Sequence, residues 1–153
     1  MKRFLIIVLV SIVAACAGYF STKMDRVVRI AWSSSALRDL DSMWVWSGEE
    51  KNELAVCLYG RMNLNSSAIY VTRTESPYKE NLLTYNSATI QCRNYDGDFL
   101  GIAHTHPSGY AYMSGTDETT LNTLGFSLMT VVCGSTCRTT YKAGSSHPLE
   151  TIR

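Results

Sequence analysis

Read for its apolar and polar positions, the chain divides into one long apolar stretch at its start and a series of shorter periodic segments behind it. From Phe4 to Ala15 the residues are apolar except for Ser11. Between Ala36 and about Trp46, Leu37, Leu40, Met43 and Trp44 recur at helical spacing. Ser33-Ser34-Ser35 offers caps for that helix, and Gly48 is its expected stop. Glu49 to Asn52 is a short polar turn. β-type runs follow over Glu53–Gly60, Ala68–Thr74, Thr89–Arg93 and Asp98–His106, with turn residues at Asn63–Ser67 and Asn94–Gly97. Glu75 to Ser87 has no clear period and reads as a loop. A second helix is expected over Gly115 to Leu124, with Leu121 and Leu124 inward and Gly125 ending it. Two further runs, Leu128–Val132 and Arg138–Tyr141, precede a polar tail over 146–153. Helix, strands, helix and strands in one short chain predict an α/β domain.

The apolar start has the form of an export signal. Met1-Lys2-Arg3 is a short basic leader, and the apolar run behind it is too short for a comfortable membrane span. Val13-Ala14-Ala15-Cys16 resembles the bacterial lipobox, which makes residues 1–15 a signal peptide and Cys16 the lipidated N-terminus of the mature chain. The other reading is an uncleaved anchor running on to Phe20, which at about 1.5 Å per residue would only just cross a hydrocarbon core. In both, the folded part is exported and held at a membrane, with 16–35 as a tether, and a multiply acylated cysteine would anchor it stably. Removing fifteen residues from 153 leaves 138, enough for one domain with one sizeable core, expected over 36–145. The formal charge of +1 becomes −1 without Lys2 and Arg3, which gives no basic face for nucleic acid.

The cysteines agree with export. With Cys16 set aside, four of the five remain. Cys133-Gly-Ser-Thr-Cys137 lies between two β-type runs, and a three-residue hairpin loop would set its cysteines opposite each other at disulfide distance. Cys57 and Cys92 are the pair left over. Buried free thiols are the plainer alternative, and a zinc knuckle at Cys133 and Cys137 lacks a second pair of ligands.

The candidate chemistry sits in one run. Two of the three histidines, His104 and His106, are one residue apart at the end of a β-type segment and just ahead of Pro107. Alternate strand residues project to the same side, so two imidazoles can reach one point. Pro107 cannot donate to a sheet ladder and tends to end the strand there. Asp117, on the first turn of the second helix, adds a carboxylate. Two imidazoles and a carboxylate suit zinc and leave a fourth tetrahedral position for water, as in catalytic sites. Ser114-x-x-Asp117 is also a helix capping box in acidic form, and both roles can hold at once. His147, in the polar tail, reads as a surface residue.

His104-Thr105-His106-Pro107, followed by Ser114 and Asp117 at this spacing, resembles the JAMM motif of the JAB/MPN metalloproteases, over roughly Ala36 to Lys142. The resemblance implies a single JAB/MPN-like domain, related in fold to the cytidine deaminases, with a mixed β-sheet flanked by helices. It implies one zinc ion held by His104, His106 and Asp117. It also asks for an upstream glutamate opening a strand that ends in glycine, which Glu53-Leu-Ala-Val-Cys-Leu-Tyr-Gly60 supplies, with Glu49 and Glu50 close by. Glu53 would take the proton of the attacking water, and Ser114 would donate a hydrogen bond to the oxyanion. In family members an insertion near Glu75–Ser87 helps hold substrate, which makes this loop a candidate exosite; a merely exposed connection is as open. The implied activity is metal-assisted hydrolysis of an amide or isopeptide bond in a protein or peptide. A peptidoglycan cross-peptide and a non-catalytic scaffolding role stand as alternatives.

Overall fold

The computed structural model describes residues 28–152, apart from 64–66, 85–86 and 95–96. The signal segment 1–15, Cys16 and the tether up to residue 27 lie outside the described residues. The last part of the expected tether is a strand, β1 (Arg29–Trp32), because its Ile30 is fully buried and its backbone pairs in parallel with Ala68–Val71. Ser33 then caps helix α1 (Ser34–Glu50), its Oγ accepting from the Ala36 amide at 3.1 Å. The helix buries Ala36, Leu40, Met43 and Ser47, a stripe at 3.6-residue spacing. It runs through Gly48 and ends at Lys51, whose φ of 55° reverses the chain. Gly48 is therefore not the stop, and the expected turn at Glu49–Asn52 begins as helix.

Strands β2 (Ala55–Asn63), β3 (Ala68–Glu75), β6 (Phe99–Thr105), β7 (Leu128–Val132), β8 (Arg138–Lys142) and β9 (Glu150–Thr151) join β1 in one seven-stranded sheet of order β8-β7-β6-β2-β3-β1-β9. Pairing is antiparallel for β2–β3, β2–β6 and β7–β8, and parallel for β1–β3, β1–β9 and β6–β7. Each parallel pair of neighbours in space needs a crossover. α1 serves that purpose between β1 and β3, and α2 (Gly115–Thr123) between β6 and β7. The sheet is mixed and flanked by helices, an α/β domain. Two expected stretches differ. Glu75–Ser87 is not a bare loop, since it holds β4 (Lys79–Thr84), which pairs with β5 (Ser87–Gln91) in a separate hairpin. The tail also contributes β9 at the sheet edge, where it satisfies the outer face of β1.

The core lies in two layers. Under α1, Ile30, Leu40, Leu58, Ile69, Val71 and Ala103 pack with their neighbours, while Ile102, Leu121, Met129 and Tyr141 pack on the other face. Leu121 is the residue that α2 buries. Leu124 follows the last helical turn and is 63% exposed, contrary to its expected inward position. Strand β6 changes phase on its way. Tyr59 pairs with Phe99 and Leu58 with Gly101, which leaves Leu100 as the extra residue of a bulge. Leu100 and Ala103 therefore face α1, while Phe99 and Ile102 face α2. Disulfides join Cys57 to Cys92 and Cys133 to Cys137.

Gly101 is needed at this bulge because a Cβ there would lie 1.9 Å from the Leu128 carbonyl oxygen of β7. Gly101→Ala should lose at least about 2 kcal/mol, the scale of an overpacked core site. Gly48→Ala meets open space inside a helix and should gain about 0.5–1 kcal/mol. Urea denaturation of the two variants checks both signs.

Candidate metal centre

Beyond the bulge, β6 resumes strict alternation, so His104 and His106 share the α2 side with Ile102 while Thr105 faces α1. His104 and His106 are 4% and 8% exposed. Their Nε2 atoms lie 3.1 Å apart. Asp117 brings Oδ1 to 3.3 Å from His104 Nε2 and Oδ2 to 3.4 Å from His106 Nε2. One ligand atom from each of the three residues falls within a 4.8 Å cluster.

Local structure sets each ring and carboxylate. After Pro107 the chain turns, the Gly109 amide donating to the His106 carbonyl at 2.8 Å with Gly109 at φ 74°. That turn returns the Tyr110 carbonyl to 3.0 Å from His106 Nδ1. A carbonyl can only accept, so Nδ1 carries a proton, and Nε2 is the nitrogen that turns to the centre, free to offer a lone pair once it holds no proton of its own. His104 Nδ1 is buried with no hydrogen-bond partner among the described residues, and its ring packs edge to face with His106 at 4.9 Å. Asp117 is fixed by the start of α2. Its Oδ2 accepts from the Ser114 amide at 2.8 Å, and its own amide donates to Ser114 Oγ at 3.1 Å. The capping box thus aims the carboxylate as well as starting the helix.

The electrostatics favour a bound cation. Burial pushes the Asp117 carboxyl up, but hydrogen bonds from His104 and His106 outweigh it and hold Asp117 well below the ordinary carboxylate range. The hydrogen bond to Asp117 pulls His106 upward against its burial. Two imidazole nitrogens and a carboxylate oxygen form a borderline-soft donor set around one point, which fits a divalent transition ion. Nitrogen lone pairs facing each other at this distance need either a shared proton or a cation between them.

Glu53 stands on the wall of the same cleft, an opening of about 420 Å³ that His104, His106, Ser114, Asp117 and Tyr110 also line. Desolvation raises its carboxyl above the ordinary value, and the nearby histidines only partly offset this. Glu49 and Glu50 are exposed at the end of α1 and take no part in the lining. Glu53 precedes β2, so the start of the strand lies just past the glutamate that was expected to open it. Hairpin β4–β5 gives no residue to the described lining.

Sequence reasoning passed over three residues here. Tyr110 fixes His106 through its carbonyl, and its 60% exposed ring stands at the cleft beside that of Tyr112, 5.6 Å away. Thr105 and Ser47 are buried hydroxyls beneath the site, joined at 2.7 Å. Both had a signal: Thr105 is the hydroxyl residue between the two histidines on an otherwise apolar strand, and Ser47 falls on the apolar stripe of α1.

None of the curated proteins matches the sequence. Among solved structures, the chain is similar to a JAB1/MPN domain protein from Archaeoglobus fulgidus, at 13% identity and a TM-score of 0.47, covering 84% of this chain and 99% of that one. It is also similar to a structure reported as JAMM, a metalloprotease-like zinc site in the proteasome and signalosome, at 14% identity and a TM-score of 0.47, covering 83% and 99%. Residues 35–148, which include β2, β6, α2 and all of the residues that form the centre, match the family model of prokaryotic homologs of the JAB domain, and the chain belongs to that family.

Proposed function

We propose that the protein is a zinc-dependent metallopeptidase that hydrolyses an amide or isopeptide bond, exported and held at a membrane by its N-terminal segment. The observation that carries this is the convergence of His104, His106 and Asp117 on one point in a cleft that Glu53 overlooks. A zinc ion held there by the three supplies Lewis acidity and brings the ionisation of water toward neutral pH. Glu53, desolvated and raised, takes the proton of the attacking water and returns it to the leaving amine, the work of a general base tuned toward neutrality. Ser114 Oγ accepts from the Asp117 amide, which leaves its hydroxyl proton to donate to the oxyanion of the tetrahedral carbon. Tyr110 at the cleft and Tyr112 beside it offer an exposed aromatic surface to a peptide chain.

Two disulfides support the location, because such bridges persist in oxidising compartments and are rare in the cytosol. No helix among the described residues is long and apolar enough to cross a membrane. In this reading attachment rests on lipidation of Cys16 once residues 1–15 are removed, or, in the alternative, on the same apolar run kept as an uncleaved anchor.

Glu53→Gln should keep zinc affinity and lose hydrolysis by about 10²–10⁴-fold. Cleavage of a peptide library followed by mass spectrometry, with metal content measured in parallel, checks this. Undiminished turnover would leave Glu53 without a role, and no turnover in the wild type would favour a scaffolding role.

Zinc uptake should release protons. His106 is raised in the metal-free protein, so near neutral pH it holds part of a proton that must leave before Nε2 can ligate, and affinity falls as pH drops through that raised value. Isothermal titration between about pH 5.5 and 8, in buffers of different ionisation enthalpy, reads the protons directly. A pH-independent affinity with no proton release would contradict this account of the centre.

A further inference from the structure

Glu53 lies in a segment without regular structure, between the left-handed Lys51 and the first residue of β2. The backbone pairing of β2 with β6 reaches this segment only at Leu54, and a chain of hydroxyls holds the rest. The Leu54 amide donates to Thr105 Oγ1 at 2.9 Å, Thr105 Oγ1 donates to Ser47 Oγ at 2.7 Å, and Ser47 Oγ donates to the Asn52 carbonyl at 2.6 Å. The Thr105 amide donates back to the Leu54 carbonyl at 2.9 Å. The residues on either side of Glu53 are therefore both tied down, one to α1 and one to the ligand strand. Ser47 and Thr105 are fully buried, where each hydroxyl has one donor to place and water cannot compete for it.

We propose that Ser47 and Thr105 are positioning residues that set where Glu53 stands relative to the metal centre. Thr105 is the residue between the two histidine ligands, and its opposite face grips the neighbour of the acid. Any shift of Leu54 must drag Thr105 or break its bond. The acid and the two imidazoles thus move as one unit, and the end of α1 serves as the outer support through Ser47. The proposal rests on the reading of Glu53 as the proton acceptor.

The test uses Thr105→Val, which keeps the shape and removes the hydroxyl, Thr105→Ser, which keeps the hydroxyl, and Ser47→Ala. In the zinc-free full chain, amide hydrogen exchange at Leu54 should quicken at least about tenfold in Thr105→Val, with Leu128–Val132 of the neighbouring strand unchanged. In the zinc-loaded full chain, acting on the fastest-cleaved peptide of a mixed library, kcat should fall about ten- to a hundredfold, the scale of a small misplacement. KM and zinc affinity should stay within about threefold, since ligands and cleft are untouched. Ser47→Ala should follow in the same direction and Thr105→Ser should restore both readouts. In a Glu53→Gln background, Thr105→Val should cost no further activity, because the residue acts through the acid. An equal loss in both backgrounds, a loss of zinc, or unchanged exchange at Leu54 would overturn the proposal. Should Glu53→Gln itself prove as active as the wild type, the proton-acceptor reading fails on its own, and local exchange at Leu54 then decides alone whether the hydroxyl chain fixes this segment.

Discussion

Two imidazole nitrogens and a carboxylate oxygen crowd one another at the end of β6, largely out of water, and all three turn electron-rich faces to the same point. Such a cluster is costly unless a positive charge sits among them or a proton is shared. Everything around it is arranged to hold that crowding in place. The Tyr110 carbonyl commits one His106 nitrogen as donor and frees the other. The capping box holds Asp117 by both its carboxylate and its backbone amide. Helix α2 is short, so the stability of its first turn and the aim of the carboxylate depend on the same pair of hydrogen bonds.

The sheet supplies the phase. Without the extra residue at the Leu100–Gly101 bulge, the alternation of β6 would turn the histidines into the layer under α1 and bring Thr105 to the cleft. The close approach of Gly101 to Leu128 permits the bulge within a tightly paired strand. A glycine three residues ahead of His104 thus allows the shift that decides which face of the sheet carries the two imidazoles.

The cluster of His104, His106 and Asp117 was legible in the chain because its geometry is local. A two-residue period places both imidazoles on one side, a proline ends the strand, and a helix start aims the aspartate. Glu53 was legible only through resemblance to a family, since nothing in its own neighbourhood says which strand will lie beside it. The hydroxyls of Ser47 and Thr105 lie 58 residues apart, and only the tertiary register brings them together. Strand β1 escaped notice because it is four residues long and only Ile30 is fully buried. Strand β9 escaped because a two-residue strand has no period to read. For β4 the polar content of Lys79–Thr84 hid a pairing that the backbone makes with β5. Leu124 misled in the other direction, since its spacing suits a helix that in fact closes at Thr123.

The domain also takes in and gives out its chain at neighbouring places. β1 and β9 are adjacent strands at one border of the sheet, and β6 lies three strand intervals inward from β1, about 14 to 15 Å. Anything joined to the chain just ahead of β1 or just behind β9 would bear on that border, three strand intervals from the strand of His104 and His106. A pull, a change of linker length or a graft of this domain into another protein at that border would meet β1, β3 and β2 before the cluster of His104, His106 and Asp117.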